Sequence, residues 1–325
     1  MNNSSIKNSI SILLILTGSM INISAYAENF LIISNTEHKY HQAIAKNIED
    51  SLKQSGDTSD NINAIEFNDI DTSSYSSLIT IGYKAASTVI SSNSNKPVLS
   101  LLIPKLAINR LLQENINKEY RYLYSAIYID QPIYRQAQLI HKLSDSFKTV
   151  GVIYGKNSYS RKKNISKILK NHKLHPHNIT VLDRTELISE TRYISENSDV
   201  LLAIPDNTIF NRRSIKGILL TTYRNQIPVI GYSKAYVKAG ALAAVFSTAE
   251  NISKQAIEIL QKNKTFNYIS ATRTHPEYFD VAINNNVARS LNIHTIDRDY
   301  LLQLLHNSEP EDKLSSENNN QRQKK

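Results

Sequence analysis

Three histidines within one short segment are the most concentrated metal-ligating side chains in the sequence. His172, His175 and His177 lie in NHKLHPH. Imidazole nitrogens bind divalent cations, so a loop folded around a metal ion is one interpretation. No carboxylate accompanies the three rings, and Pro176 restricts the backbone of the residue before it. We therefore favour the alternative, a solvated loop between a basic helix and the next strand, and predict no metal site.

A basic run and four tyrosines are the other side chains whose placement suggests binding. Basic runs bind nucleic-acid phosphates, but Arg161-Lys162-Lys163 lies on a predicted helix with apolar residues on the opposite stripe. We interpret the run as a solvated face and predict no nucleic-acid partner. Tyr83, Tyr128, Tyr154 and Tyr232 each lie at the end of a predicted strand. Their amphipathic rings are suited to the wall of a pocket.

The sequence lacks the short motifs of several enzyme classes. It contains no G-x-G-x-x-G, no G-x-x-x-x-G-K-[ST], no G-x-S-x-G and no H-E-x-x-H, and it has 8 glycines in 325 residues. It also has no cysteine, which excludes disulfides, thiolate nucleophiles, iron–sulfur clusters and a lipid-modified cysteine. We predict that the protein is not an enzyme and that it holds no cofactor.

The first residues have the pattern of an export signal. An apolar run over 10–23 follows a short polar start with Lys7, and Ala25-Tyr26-Ala27 places small side chains two residues apart. Signal peptidase requires small residues at those positions, so we predict a signal peptide over 1–27 with cleavage before Glu28. An apolar strand or an uncleaved anchor is the alternative. Export without a lipid-modified cysteine indicates a protein free in the periplasm.

The mature chain alternates predicted strands with predicted helices. The strands are 29–34, 63–67, 78–82, 97–103, 125–130, 149–154, 179–182, 199–204, 228–232, 243–246 and 278–283, and the helices are 36–54, 84–90, 132–143, 158–171, 211–225, 250–260, 286–291 and 297–305. Such alternation is typical of parallel sheets with helices on both faces. The alternation of strands and helices begins again near residue 149, which predicts an α/β fold with two doubly wound lobes.

We assign residues 28–130 to an N-terminal lobe, with part of the C-terminal segment crossing back to it. Residues 131–306 form mainly the C-terminal lobe, and 307–325 form a disordered tail. Ligands of doubly wound lobes bind at the carboxyl ends of the strands.

Five segments in a fixed order carry a resemblance to a known family. They are 126–143, 149–155, 199–207, 227–242 and 278–291, and they include Pro-Asp at a strand end, then Ile-Pro-Val-x-Gly, then Ala-Gly-Ala. Together they resemble the substrate-binding proteins of ABC transporters, in the family that includes tryptophan/tyrosine-binding components. The resemblance implies a type I periplasmic-binding-protein architecture, with two Rossmann-like lobes, three crossovers and a ligand held in the cleft by hinge closure.

One segment departs from that family. Residues 103–124 lack its Asp-Pro-Val step and its Pro-Gly-Gly-Asn loop. We therefore expect the first lobe's share of the pocket to be rebuilt.

The cleft walls that the resemblance implies are strand ends and helix starts. The candidate ligand-binding residues are Asp206, Asn207, Tyr232, Ser233, Ser247 and Thr248 in the second lobe, and Ser34, Gly82, Tyr83 and Tyr128 in the first. Asp206 would take a ligand's ammonium group, or alternatively cap a helix. Ser247 and Thr248 have the same two interpretations. Tyr128 begins a hinge crossing.

The leading hypothesis is a periplasmic solute-binding component of an ABC importer. Its partners would be a small molecule, such as an amino acid or another small carboxylate, and an ABC permease in the inner membrane, and the chain would be a monomer. A ligand-binding periplasmic sensor or accessory protein is the alternative. A nucleotide-sugar transferase would need a phosphate-binding glycine loop, and a repressor core would need a DNA-binding helix pair where the signal lies. The net charge is +9, and we place part of it on the Arg161–Lys163 helix and in the tail, away from the cleft.

Overall fold

The computed structural model describes residues 27–266, 271–294 and 296–309. The predicted signal peptide, apart from its last residue, lies outside the described residues, as do residues 310–325 of the predicted tail. Within the described parts, no helix is long and apolar enough to cross a membrane.

The described residues form twelve strands and eleven α-helices. In chain order they are β1 (Asn29–Ser34), α1 (Lys39–Gln54), β2 (Thr58–Asn63), β3 (Ser77–Ile81), α2 (Tyr83–Ser91), β4 (Val98–Ile103), α3 (Lys105–Asn115), β5 (Tyr124–Tyr128), α4 (Ile133–Leu143), β6 (Thr149–Tyr154), α5 (Lys162–Asn171), β7 (His175–Thr180), α6 (Leu187–Glu196), β8 (Val200–Leu202), α7 (Ile215–Arg224), β9 (Val229–Gly231), α8 (Lys234–Ala239), β10 (Ala243–Phe246), α9 (Ala249–Phe266), β11 (Arg273–Thr274), β12 (Asp280–Ile283), α10 (Asn285–Ser290) and α11 (Arg298–His306).

Two six-stranded sheets organise the chain into two lobes. The first sheet has the order β2-β1-β3-β4-β5-β11, and the second has the order β7-β6-β8-β9-β10-β12. All paired strands are parallel except β12, which runs antiparallel to β10. The strand order reverses at β1 and β3 and again at β6 and β8, as in doubly wound sheets. The predicted fold class is confirmed.

Each lobe buries a core on the faces of its sheet. The inner strands of the first sheet, β1, β3, β4 and β5, are largely apolar and buried because helices cover both faces. On one face α1 contributes Ile44, Ala45, Ile48 and Leu52, whose spacing places them on one stripe of the helix. Ile252 and Ala256 of α9 belong to the same cluster. α9 therefore packs in the first lobe although it follows β10 of the second.

The chain passes between the lobes three times. The first connection, 129–132, leaves β5, and the second, 247–248, leaves β10 and leads to α9. The third, 275–279, runs from β11 beside β5 to β12 beside β10. The first two connections start at the carboxyl ends of β5 and β10, so the carboxyl ends of both sheets face each other. This is the edge at which such folds bind ligands.

The structure differs from the sequence-based elements mainly at edge strands and short helices. β2 lies at Thr58–Asn63 rather than 63–67, and β7 lies at His175–Thr180 rather than 179–182. Both are edge strands with few apolar residues, since each pairs with only one neighbour. Pro176 fits such a strand because it need not donate a ladder hydrogen bond. Helices α3, α6 and α8 and strand β11 were not predicted.

The assignment of residues 307–309 to a disordered tail is wrong. Gln138 Nε2 donates to the Ser308 carbonyl, and the Glu309 carboxylate accepts hydrogen bonds from Tyr134 and Arg135. A polar composition predicts disorder only where the side chains find no partners in the fold, and here α4 supplies them.

The turn after β3 places a glycine against a histidine ring. Gly82 has φ +90° and ψ 166°, and a Cβ there would lie 2.5 Å from His41 Cε1. Only glycine adopts that conformation at low cost. His41 in turn lies 4.6 Å from His38 between ring centroids, and its buried Nδ1 finds no hydrogen-bond partner among the described residues. Burial, and secondarily the charge of His38, lower the pKa of His41 to about 4.

This histidine gives folding a pH dependence of known sign. The folded pKa of His41 lies below its ordinary 6.5, so between pH 6.5 and 4 the unfolded chain binds a proton that the folded chain does not. We expect the free energy of unfolding to fall as the pH is lowered through that window. Urea denaturation at several pH values should show a shallower fall for His41→Gln than for the unmodified protein. Parallel pH profiles would contradict this assignment.

Candidate ligand-binding site

The end of β5 lies where the edges of the two lobes face each other. Tyr128, the last residue of β5, is buried, and burial raises the pKa of its hydroxyl. The ring of His275 meets the Tyr128 ring edge-on, with 5.1 Å between centroids. Lys105 Nζ lies 5.8 Å from the centroid of the same ring. An aromatic face, a cation and an imidazole thus converge where the first connection begins.

Asp130, two residues after β5, contacts residues of both lobes. Its Oδ2 accepts a hydrogen bond of 2.8 Å from the Lys105 backbone N–H at the start of α3. Its Oδ1 lies 3.9 Å from Nη1 of Arg161, which precedes α5 in the second lobe. The placement of the Arg161–Lys163 charge away from the cleft is therefore wrong for Arg161, because its long side chain reaches the connection between the lobes.

Ser247 joins all three connections between the lobes. Its Oγ accepts a hydrogen bond of 2.8 Å from Gln131 Nε2 and donates one of 2.7 Å to the Tyr278 carbonyl. Its backbone carbonyl accepts from the Tyr40 hydroxyl at 2.8 Å. Burial, with a smaller contribution from Glu250, raises the pKa of Tyr40 to about 12, so this hydroxyl stays a donor. Ser247 thus connects the three crossings, and its contact with a ligand stays a prediction.

Arg135 is the most deeply buried charge of this hinge. It is 1% exposed, and its Nη1 donates to Gln131 Oε1 at 2.8 Å and to the Pro276 carbonyl at 2.7 Å. Its Nε and Nη2 bind the two carboxylate oxygens of Glu309 at 2.7 and 2.8 Å. The guanidinium also lies 4.2 Å from the ring centroid of Phe279. One side chain therefore forms hydrogen bonds with the first connection, the third connection and the end of the described chain.

Asp206 is buried and fully hydrogen-bonded inside the second lobe. Its Oδ2 accepts from the Gly155 N–H at 3.1 Å and from the Ser158 hydroxyl at 2.6 Å. Its Oδ1 accepts from the N–H and the hydroxyl of Thr208 at 2.8 and 2.6 Å. A carboxylate offers about four acceptor positions, and all are used here. The arrangement favours a structural role over contact with a ligand's ammonium group. That role is not the predicted helix cap, because the next helix, α7, begins only at Ile215; Asp206 instead holds its own turn at Thr208 and the loop after β6.

Three further candidates of the second lobe lie at helix starts or in loops. Thr248 caps α9, since its hydroxyl accepts from the Asn251 N–H at 3.2 Å and Asn251 Oδ1 accepts from Thr248 N–H at 3.0 Å. Asn207 is exposed and accepts a hydrogen bond from the Asn157 side chain. Ser233 precedes α8, and its side chain makes no capping hydrogen bond.

Tyr232 pairs with a neighbouring tyrosine one helical turn away. The hydroxyls of Tyr232 and Tyr236 are 2.8 Å apart, and the ring centroids are 4.5 Å apart. Burial raises the pKa of both hydroxyls. The two half-buried rings therefore lie together just after the end of β9.

The candidates of the first lobe lie at the carboxyl ends of β1, β3 and β5. Ser34 is buried, and its hydroxyl donates to Asn61 Oδ1 at 3.4 Å. Gly82 and Tyr83 form the turn into α2, where the Tyr83 ring is exposed. Tyr128 is the buried residue at the end of β5 described above. The structure brings Tyr128 and Ser247 to the hinge but uses Ser34 within its own lobe.

The three histidines of the NHKLHPH segment point to separate partners. His172 Nδ1 lies 2.9 Å from the Ile168 carbonyl, and His177 Nδ1 lies 3.0 Å from the Asn197 carbonyl. His175 is exposed on β7. Nowhere in the described residues do three histidine, cysteine or acidic side chains converge as a metal site would require.

One surface depression lies outside the cleft. It has a volume of about 290 Å³ and is lined by α8, the end of β12 and the start of α10. None of the strand carboxyl ends that face the other lobe contributes to it. Because doubly wound sheets bind ligands at the carboxyl ends of their strands, the candidate site lies in the cleft rather than in this depression.

Two lobes joined by three connections, with their strand ends facing one cleft, define the periplasmic-binding-protein class of fold. The sequence matches the family of ABC transporter substrate binding proteins over residues 40–302. The chain therefore belongs to that family, and the predicted resemblance is confirmed. Proteins of this kind are generally binding proteins rather than enzymes. No curated protein matches the chain.

Solved structures share the fold at low sequence identity. A substrate binding protein with adhesive properties from Clostridium difficile, ligand-free and open, is 16% identical with a TM-score of 0.64, covering 83% of this chain and 97% of its own. A conserved domain protein from Vibrio cholerae is 20% identical with a TM-score of 0.59, covering 85% and 98%. An ABC domain from Streptococcus pneumoniae, in complex with L-Trp, is 18% identical with a TM-score of 0.58, covering 85% and 98%.

Replacing Arg135 should destabilise the whole chain. Arg135→Met leaves the Glu309 carboxylate and the Pro276 carbonyl without their charged partner, and breaking a buried ion pair costs about 3–5 kcal/mol. Urea denaturation should show a loss of that size. The control Arg224→Met, at an exposed position, should change stability by less than about 0.5 kcal/mol. Equal stabilities of the two variants would contradict the hinge role of Arg135.

Asp206 should act on stability rather than directly on binding. Asp206→Asn turns an amide N–H₂ toward groups that donate hydrogen bonds, and such a mismatch costs about 1–3 kcal/mol of unfolding free energy. The control Asp183→Asn removes the charge of an exposed carboxylate that accepts only from the Thr185 N–H, and it should cost less. A normal stability of Asp206→Asn combined with lost affinity for a co-purified small molecule would show ligand contact instead.

Proposed function

We propose that the protein is the periplasmic ligand-binding component of an ABC importer. The observation that carries the proposal is the hinge at Ser247, where all three connections between the lobes meet, in a chain that belongs to the substrate-binding family. A small molecule held between the facing strand ends would touch both lobes. An inner-membrane ABC permease would then recognise and bind the closed form.

The hinge supports closure through a few short segments. The connections are four, two and five residues long by their residue ranges 129–132, 247–248 and 275–279, and the lobes on either side are separately packed sheets. A ligand that binds the closed arrangement better than the open one shifts the population toward closure. Binding energy alone does this, and no chemical step is involved.

Export supports the periplasmic location. The Ala25-Tyr26-Ala27 step and the apolar run before it have the pattern that signal peptidase cleaves, and β1 begins at Asn29. Cleavage before Glu28 would therefore remove the signal and leave the first sheet whole. The ligand class we propose is an amino acid or another small carboxylate, in keeping with the structural relative that was solved with L-Trp.

The proposal is tested by what the exported protein carries. Expressed with its own N-terminus in a double-membraned bacterium, the chain should be recovered from the periplasm with Glu28 as its first residue. Native mass spectrometry should find a small molecule bound to it. Adding that molecule back to stripped protein at a hundredfold excess over Kd should stabilise it by about 2.7 kcal/mol. A chain that stays in the cytoplasm, or that binds no small molecule, contradicts the proposal.

A further inference from the structure

The positive charge of the chain is concentrated in one segment of the second lobe. Residues 146–182 contain eight of the 38 lysines and arginines and none of the 29 aspartates and glutamates. The rest of the chain holds 30 basic and 29 acidic side chains, which nearly cancel. The segment contains β6, α5 and β7, and β7 is the outer strand of its sheet. Nearly all of the net charge of +9 therefore comes from one edge of the molecule.

Helix α5 presents a stripe of these charges to solvent. Lys163, Lys167 and Lys170 recur at helical spacing and are exposed, whereas Ile165 and Leu169 belong to the buried core of the lobe. Among the described residues, no carboxylate lies within ion-pair distance of the three ammonium groups. The helix dipole favours a cation in the last turn, where Lys170 lies, but opposes Lys163 in the first turn. The stability of the helix therefore does not account for the whole stripe.

Two exposed apolar side chains lie near the start of this stripe. Leu182 is 76% exposed and Tyr159 is 59% exposed. The neighbouring strands β6 and β7 end side by side, with Tyr154 paired to Thr180. Leu182 follows β7 by two residues, and Tyr159 lies with the exposed Lys156 between β6 and α5. An aromatic ring and an aliphatic chain beside lysines are typical of surfaces that enter the headgroup region of a bilayer.

The residue types of this edge fit a lipid surface better than a nucleic acid. Seven of the eight cations in the segment are lysines, which are point charges on flexible stems. The one arginine, Arg161, is directed toward Asp130. Nucleic acids are bound by arginine forks and by rows of aromatic rings that stack on bases. Lysines spread along a helix face are suited instead to the many separate charges of lipid headgroups.

We propose that one surface of the second lobe docks the protein onto a bilayer that contains anionic lipids. This α5 surface consists of Lys156, Tyr159, Lys163, Lys167, Lys170 and Leu182. Headgroups attract the lysines, and the two apolar side chains bury their exposed area among the headgroups. The chain has no cysteine that could carry a lipid anchor, so this surface would hold it at the membrane reversibly.

Docking through the α5 surface would also orient the cleft. Tyr159 and Leu182 follow the carboxyl ends of β6 and β7, and those ends belong to the edge of the sheet that faces the other lobe. The docked lobe would therefore turn its cleft edge toward the membrane. The inference concerns where the protein is held rather than what it binds in the cleft, so it does not depend on the proposed function.

Sedimentation with lipid vesicles tests the inference. The chain from Glu28 onward keeps both sheets, since β1 begins at Asn29, and it lacks the apolar run over 10–23. It is mixed with vesicles of phosphatidylcholine alone or with about 30% phosphatidylglycerol. We expect at least about tenfold tighter binding to the anionic vesicles, and release on raising the salt from about 50 mM to about 500 mM, because salt screens exposed charges. Equal binding to both vesicles, or binding to neither, overturns the inference.

A matched pair of triple variants locates the contact. Replacing Lys163, Lys167 and Lys170 together by Gln should weaken binding to the anionic vesicles by about tenfold or more. The control variant has the same net charge and replaces by Gln three exposed lysines of the first lobe, Lys46, Lys53 and Lys118. It should bind within about twofold of the unmodified protein. Equal losses in the two variants would show attraction by net charge alone and overturn the inference.

A pair of double variants separates a bilayer from another polyanion. Tyr159→Ser with Leu182→Ser should weaken vesicle binding at least about threefold and leave binding to a short DNA duplex at the same salt unchanged. The control, Leu220→Ser with Tyr223→Ser, removes side chains of α7 that are 46% and 44% exposed, and it should not change vesicle binding. Thermal unfolding of each variant checks that it folds. Binding to the duplex without binding to vesicles, or equal effects of the two double variants on vesicle binding, overturns the inference.

Discussion

The buried charge of Arg135 is the constraint around which the hinge is organised. A guanidinium removed from water must be paired and hydrogen-bonded on every side. Its partners here come from the first connection, the third connection and Glu309, three residues after α11. Because these groups are far apart in sequence, satisfying one arginine fixes the relative course of segments that no single helix or sheet could hold together.

The connections between the lobes are held by a strong charged cluster and by a weaker neutral contact. Arg135 and Glu309 lie on the second-lobe side, where α4 and α11 pack beside each other. Gln131 accepts a charge-assisted hydrogen bond from Arg135 and donates a single neutral one to Ser247. A neutral hydrogen bond contributes about 0.5–1.5 kcal/mol net, far less than a buried ion pair. In the proposed closure, we therefore expect the hydrogen bonds at Ser247 to exchange partners before the charged cluster does.

Much of the fold could be predicted because it depends on buried strands. β1, β6 and β10 have the predicted bounds, since continuous apolar runs between helices have few other interpretations. The edge strands β2 and β7 could not be placed, because they pair on one side only and their sequences TSDNIN and HPHNIT are nearly as polar as loops. The membership of α9 in the first lobe depends on packing against α1, which local sequence does not encode.

The candidate site was harder to predict because one residue type serves two purposes. Asp130 and Asp206 both follow a strand. Asp206 is saturated by donors of its own turn and of the loop after β6, whereas Asp130 keeps one oxygen facing a cation of the other lobe. Nothing within a few residues of either aspartate distinguishes them. Arg161 was misplaced for the same reason, since a helical stripe predicts which face of α5 is apolar but not how far a side chain at its start can reach.

The contrast between the two carboxylates also bears on how binding and folding are separated in this chain. A carboxylate with four internal donors cannot accept a ligand without losing stability, so substitutions of Asp206 are expected to act through the fold. A carboxylate shared between Lys105 and Arg161 can yield one partner and keep the other, because its Oδ2 still caps α3 when Arg161 turns away.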